Sequence, residues 1–72
     1  MMPVEWQEVF STNVSQIGHD PDTDELHVTW ANGKTSVYSG VSAQKASQVM
    51  RAPSVGSAIA STIKPNHQHR YA

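Results

Sequence analysis

The stretch "LHVTWANGKTSVY", Leu26 to Tyr38, decides the fold. Two runs of alternating character flank Asn32-Gly33. That dipeptide is a strong short-range hairpin signal, because a type I′ turn needs positive φ at both central residues. A two-residue loop there sets Ala31 opposite Lys34, Trp30 opposite Thr35, Thr29 opposite Ser36, Val28 opposite Val37 and His27 opposite Tyr38. Side chains alternate between faces. This register therefore predicts a core face of Leu26, Val28, Trp30, Thr35 and Val37, and an outer face of His27, Thr29, Ser36 and Tyr38. His27 and Tyr38, neighbours on that outer face, would stack on a ring or cover a subunit contact. A slip of one residue inverts the assignment.

Upstream, "VEWQEVF" (Val4 to Phe10) fits neither helical nor strand period cleanly and is read as a strand ending near Phe10. "STNV" reads as a turn and "SQIGHD" as a short strand carrying Ile17. "PDTDE" (Pro21 to Glu25) is a dense turn signal, because proline presets φ and the Asp side chains bond nearby backbone N–H groups. Its carboxylates suggest a calcium loop at first sight, but the spacing lacks the central Gly and terminal Glu of an EF-hand, so a solvated turn is expected.

Downstream the period changes. Ser42 is placed to cap a helix from about Ala43 to Arg51, with Ala46, Val49 and Met50 at helical spacing. Ala52-Pro53 interrupts it. Ser54 then caps a second helix from Val55 to about Ile63, with an apolar stripe of Val55, Ile59 and Ile63. Lys64-Pro65 ends it, since the residue before proline disfavours the helical region. Residues 65–72 read as a mobile tail or a final short strand. The pattern predicts a single domain over 1–72 of α+β class: a small antiparallel sheet of three or four strands centred on the Asn32-Gly33 hairpin, followed by two short helices.

At 72 residues, a chain buries only about 60% of the surface its unfolded form exposes. No cysteine is present to staple it. Self-association is the common remaining support for so small a core, and a homo-oligomer is expected. The lack of cysteine and of a signal-peptide pattern points to a cytoplasmic setting. No apolar run approaches the roughly 20 residues of a membrane span, so no membrane partner is expected. All six acids lie within the first 25 residues and all five Lys and Arg lie from Lys34 onward, which leaves a net charge of −1. The asymmetry marks the later half as the one to face an anion, or else the two halves neutralise each other on packing. A nearly neutral domain is poorly suited to non-specific nucleic-acid binding, which needs many cation–phosphate contacts. A phosphate-bearing small molecule or a short RNA fits better.

The order "IGHD…ELHVTWANG…VYSGV…APSVGSAIASTIK" resembles the KTSC domain family, named for an extension at the C-terminus of some lysyl-tRNA synthetases and found also as short stand-alone bacterial and phage proteins. The resemblance runs from about Val9 to Arg70. It rests on Ile17, Gly18 and Asp20, on the strand–turn–strand Leu26 to Tyr38, on Ala52, Ser54 and Gly56, and on Ile63-Lys64. The chain departs from the pattern at Ser36, where the family usually has the first Tyr of a Tyr-x-Tyr, and at Ser42, where it usually has Pro. The resemblance implies the fold, and its synthetase association suggests RNA binding.

Ser54, Gly56 and Ser57 open the last helix, where unpaired N–H groups and the positive end of the dipole favour an anion. Lys64 and Arg70 would add charge. The competing reading is a capped helix whose Gly packs against the hairpin. His67 and His69, two apart, share a side if the segment is a strand. With His19 or Asp20 they would chelate a metal, and with Arg70 they would serve phosphodiester chemistry. With no third ligand nearby in sequence and no nucleophile–base pair, no metal site, cofactor or catalytic residue is assigned. The expectation is a non-enzymatic, oligomeric binding protein that holds a nucleotide-like ligand with Ser54, Gly56, Ser57, Lys64 and Arg70, while Tyr38, His67 or His69 packs on its base. In a phage such a protein would sequester a nucleotide signal of host defence. An RNA-binding accessory module and a purely structural oligomer are the alternatives. Trp6 and Trp30 are expected in the core.

Overall fold

The structure, a computed structural model, describes residues 5–8 and 13–72. Five antiparallel strands lie in chain order across one sheet: β1 (Glu5–Glu8), β2 (Val14–Asp20), β3 (Glu25–Trp30), β4 (Thr35–Tyr38) and β5 (His69–Tyr71). Between β4 and β5 the chain forms α1 (Ala43–Met50) and α2 (Val55–Ala58), and α2 runs on into a π-helical turn over Ile59–Ile63. The class is the α+β expected. The sheet gains a fifth strand because the last residues return to pair with β4, Tyr38 opposite His69 and Ser36 opposite Tyr71. The expected first strand is present as β1, whereas Val4, Val9 and Phe10 lie outside the described residues.

The hairpin between β3 and β4 forms where expected but with a different turn. Gly33 has φ of +88° and Asn32 stays in the ordinary region. The Gly33 N–H donates to the Trp30 carbonyl at 2.9 Å and the Trp30 N–H to the Lys34 carbonyl at 2.8 Å. This is a type I turn followed by a left-handed Gly, a three-residue loop. It asks for one positive φ rather than two, and it frees the Asn32 carboxamide oxygen to accept from the Lys34 N–H at 3.0 Å.

The extra loop residue shifts the register by one. Thr29 faces Thr35, Val28 faces Ser36, His27 faces Val37 and Leu26 faces Tyr38. The expected placement of β4 is thereby inverted. Ser36 and Tyr38 point to the core face and are only 2% exposed, and Thr35 and Val37 point the other way. A bulge between Val14 and Gln16 in β2 brings Val14 and Ile17 onto the same face although they are three apart.

The helices cover that face. The core joins Val14, Ile17, Leu26, Val28 and Tyr38 from the sheet to Val41, Ala46, Val49, Val55, Ile59 and Ile63. Ser42 caps α1 through the Lys45 N–H, and Ser54 caps α2 through the Ser57 N–H. In the π turn the Lys64 N–H reaches back five residues to the Ile59 carbonyl at 2.9 Å. The Ser61 and Thr62 hydroxyls donate to the Ser57 and Ala58 carbonyls at 2.9 and 2.6 Å, a back-bonding that accompanies widening of the helix. His19 donates from Nε2 to the Val41 carbonyl at 2.7 Å, tying β2 to the loop before α1. His67 ties the same loop from the other side. Its Nδ1 donates to the Ser39 carbonyl at 2.9 Å and its Nε2 accepts from Lys45 Nζ at 2.8 Å.

The register has a direct test. Truncating the inward ring in Tyr38→Ala should cost about 3–5 kcal/mol, whereas Thr35→Ala should cost about 1 kcal/mol through its hydroxyl bond to Thr29. Urea denaturation measures both, and the opposite ranking would restore the two-residue turn.

Candidate functional site

The end of the last helix meets the sheet where β3 runs into the Gly33 turn. Trp30 sits there, packed on the edge of the core but only partly buried. Its indole N–H donates to Ser36 Oγ at 2.6 Å, which fixes the ring and satisfies the buried hydroxyl. Because β5 pairs with β4, its alternate residues His69 and Tyr71 lie on the same face. His69 tilts against Tyr38 with ring centroids 5.0 Å apart and meets Tyr71 edge-on at 4.7 Å. Two cations close the group: Lys64 Nζ lies 5.4 Å from the Trp30 ring centroid, and Lys34 Nζ lies 5.7 Å from that of Tyr71.

These residues bound a hollow of about 290 Å³ between Trp30, Ser36, Tyr38, Lys64, His69 and Tyr71. A second hollow of about 310 Å³ adjoins it, sharing Trp30, Lys64 and Tyr71 and adding Asn13, Asn32 and Lys34. Burial pushes the Tyr38 phenol above its ordinary value of 10.0, so the floor of the site stays a neutral ring. Flat rings beside two ammonium groups can take a planar group by stacking and an anion by charge. A larger groove of about 640 Å³ runs between α1 and α2. Its Thr62 hydroxyl and Asn66 carboxamide are spent on helix carbonyls, and neither a ring nor a second cation besides Lys45 lines it.

The residues expected at a site separate into four places. Lys64, Tyr38 and His69 come together in the ring-lined cleft. Ser54, Gly56 and Ser57 lie at the start of α2, at the far end of the same rod from Lys64, a distance on the order of 12 Å along the axis. There the Ser54 hydroxyl accepts the Ser57 N–H and donates to Ser57 Oγ. Both bonds serve the cap. His67 is occupied by Ser39 and Lys45, with a different set of partners from His69. Arg70 alternates with His69 and Tyr71 and so lies on the opposite face, where its guanidinium pairs with Glu25 at 2.5 Å. The expected His27–Tyr38 surface does not form, because the register puts these rings on opposite faces. Trp30 joins the core edge as expected and lines the cleft as well; the side chain of Trp6 lies outside the described residues. Lys34, Ser36 and Tyr71 are lining residues that the sequence reading left out. Tyr71 was legible as an i+2 partner of His69 once the tail is taken as a strand.

On the opposite face the expected acidic turn is present. Asp20 Oδ1 accepts from the Asp22 N–H at 3.0 Å, and Asp24 adopts a left-handed φ of 53° that short polar residues tolerate. The hydrogen bond from Arg70 leads in holding the Glu25 carboxyl below its ordinary value of 4.5; desolvation acts against it, and a bond from Thr23 adds to it.

An antiparallel five-stranded meander carrying two helices on one face, with a cleft lined by rings and cations beside Trp30, defines a small α+β domain. The KTSC domain family matches residues 10–67, and the chain belongs to it. The crystal structure of KTSC domain protein YPO2434 from Yersinia pestis superposes with a TM-score of 0.90 at 28% identity, covering 97% of this chain and 99% of that one. A comparison with curated proteins finds no match. Among the described residues no helix is long and apolar enough to cross a membrane.

The Glu25–Arg70 pair sets a pH dependence. A carboxyl depressed by folding contributes stability that is present above its unfolded value near 4.5 and is lost as pH falls through its folded value. Wild type should therefore exceed Arg70→Ala slightly in stability at neutral pH, and the two should converge as the pH drops below 4.5. Thermal melts from pH 3 to 7 measure this, and added salt should shrink the gap because Arg70 is exposed.

Proposed function

We propose that this KTSC domain is a binding module, not an enzyme, and that its ligand is an anion bearing a planar ring, of nucleotide type, held at the Trp30–Tyr71 end of the sheet. The observation that carries this reading is the placing of Lys34 and Lys64 beside the Tyr71 and Trp30 rings around one pair of adjoining hollows. The rings offer stacking surface, and the ammonium groups offer charge to a phosphate. The site moves from the start of the last helix, where the sequence reading put it, to that helix's end. A domain of this kind would act by lowering the free concentration of a nucleotide signal, in a phage as a means of blunting host defence. Exposed β5, with Tyr71 65% accessible, is the edge through which we expect copies to associate.

A short single-stranded RNA is the second reading. It is favoured by the position of His69 and Tyr71 on an open edge strand, where successive bases have room to stack. Calorimetry with nucleoside monophosphates and with short oligoribonucleotides separates the two. Lys34→Ala and Lys64→Ala should each weaken the preferred ligand by about tenfold, as loss of a charge-assisted contact does, and Ser54→Ala should leave binding unchanged. A steep fall in affinity with salt, confined to the oligomers, would favour RNA. Unchanged binding in both lysine variants would sink the cleft as the site.

A further inference from the structure

The face of the sheet opposite the cleft holds three metal-ligating side chains in one place. Asp20 and Glu25 are a facing pair across β2 and β3. His27 lies two residues beyond Glu25 on β3 and so on the same face. One donor atom from each of the three falls within 4.8 Å of the others, and all three residues are partly buried. His27 Nε2 is 3.9 Å from Glu25 Oε1. The three come from neighbouring strands joined by a four-residue turn, so their backbones are held by the sheet and only side-chain rotation is needed for convergence.

The cluster already has one cationic neighbour from the chain itself. Arg70 reaches across from β5 to place its guanidinium on Glu25 Oε2. The pair is exposed on the arginine side, which makes it weak and displaceable.

We propose that Asp20, Glu25 and His27 form a binding site for a borderline divalent cation of the zinc or cobalt class, and that Arg70 is its built-in competitor. One imidazole with two carboxylates suits these ions, water completing the shell. Calcium is disfavoured, because it takes six to eight oxygen ligands and no nitrogen. Loading releases Arg70 from Glu25 and removes one of the ties that hold β5 against the sheet. The site is separate from the ring-lined cleft and stands whether or not the cleft binds a nucleotide.

Zinc calorimetry and cobalt visible absorption on the full chain test this. One ion per chain is expected, with the His27 ring resonances shifting on titration of the wild type. His27→Ala, Glu25→Gln and Asp20→Asn should each weaken binding by about tenfold or more, whereas Arg70→Ala should tighten it about threefold or more. Asp20→Asn, at the strand end, serves if His27→Ala fails to fold. Shifts at His19, His67 or His69 in place of His27 would overturn the assignment, as would no binding by either wild type or Arg70→Ala. Weakened binding in Arg70→Ala would overturn the competition.

Discussion

The arrangement of the molecule depends on a single positive φ at Gly33. With one left-handed residue and not two, the loop between β3 and β4 has three residues, and the pairing of β4 is offset by one. Because strand side chains alternate with a period of two, that offset reverses every residue of β4. Tyr38 becomes part of the core, and Ser36 becomes the buried acceptor for Trp30. Thr35 and Val37 turn to the other face. The cleft and the placement of both β5 rings follow from this one turn, since β5 takes its own register from β4.

β5 is three residues long and serves both faces. His69 and Tyr71 complete the ring cluster on the helix side, while Arg70 between them reaches Glu25 on the other. The strand is otherwise held by backbone bonds to β4, extended by Ser39 to Gln68 and by Ala72 to Thr35. A short edge strand with charged and aromatic side chains has few buried contacts, so its position is sensitive to what binds on either side. The departure of this chain from the family pattern falls here too. Ser36 stands where the resemblance has a ring, and in this structure that position faces the cleft beside Trp30.

Much of the fold could be read from local patterns. Ser42 and Ser54 are the caps their positions suggested, Asn32-Gly33 is a turn, Pro65 follows the last helix, and the acidic run is a loop. The candidate site was only partly legible. Lys64, Tyr38 and His69 were picked out by residue type and do meet, but by way of a strand that tail composition alone left open. Arg70 was grouped with them on charge, and alternation along β5 sends it to the opposite face. Ser54 and Ser57 have hydroxyls suited to an anion, and those hydroxyls are committed to the cap.

What the sequence by itself determined is the kind of each element: periodicity, turn residues and caps act over a few residues and are set by neighbours in the chain. What only the tertiary structure decided is which faces meet. Asn-Gly serves a three-residue loop as well as a two-residue one, and burial of Tyr38 under the helices selects the register. The π turn and the return of β5 to the sheet are likewise settled by packing, because no local signal distinguishes them from an α-helical end and a free tail.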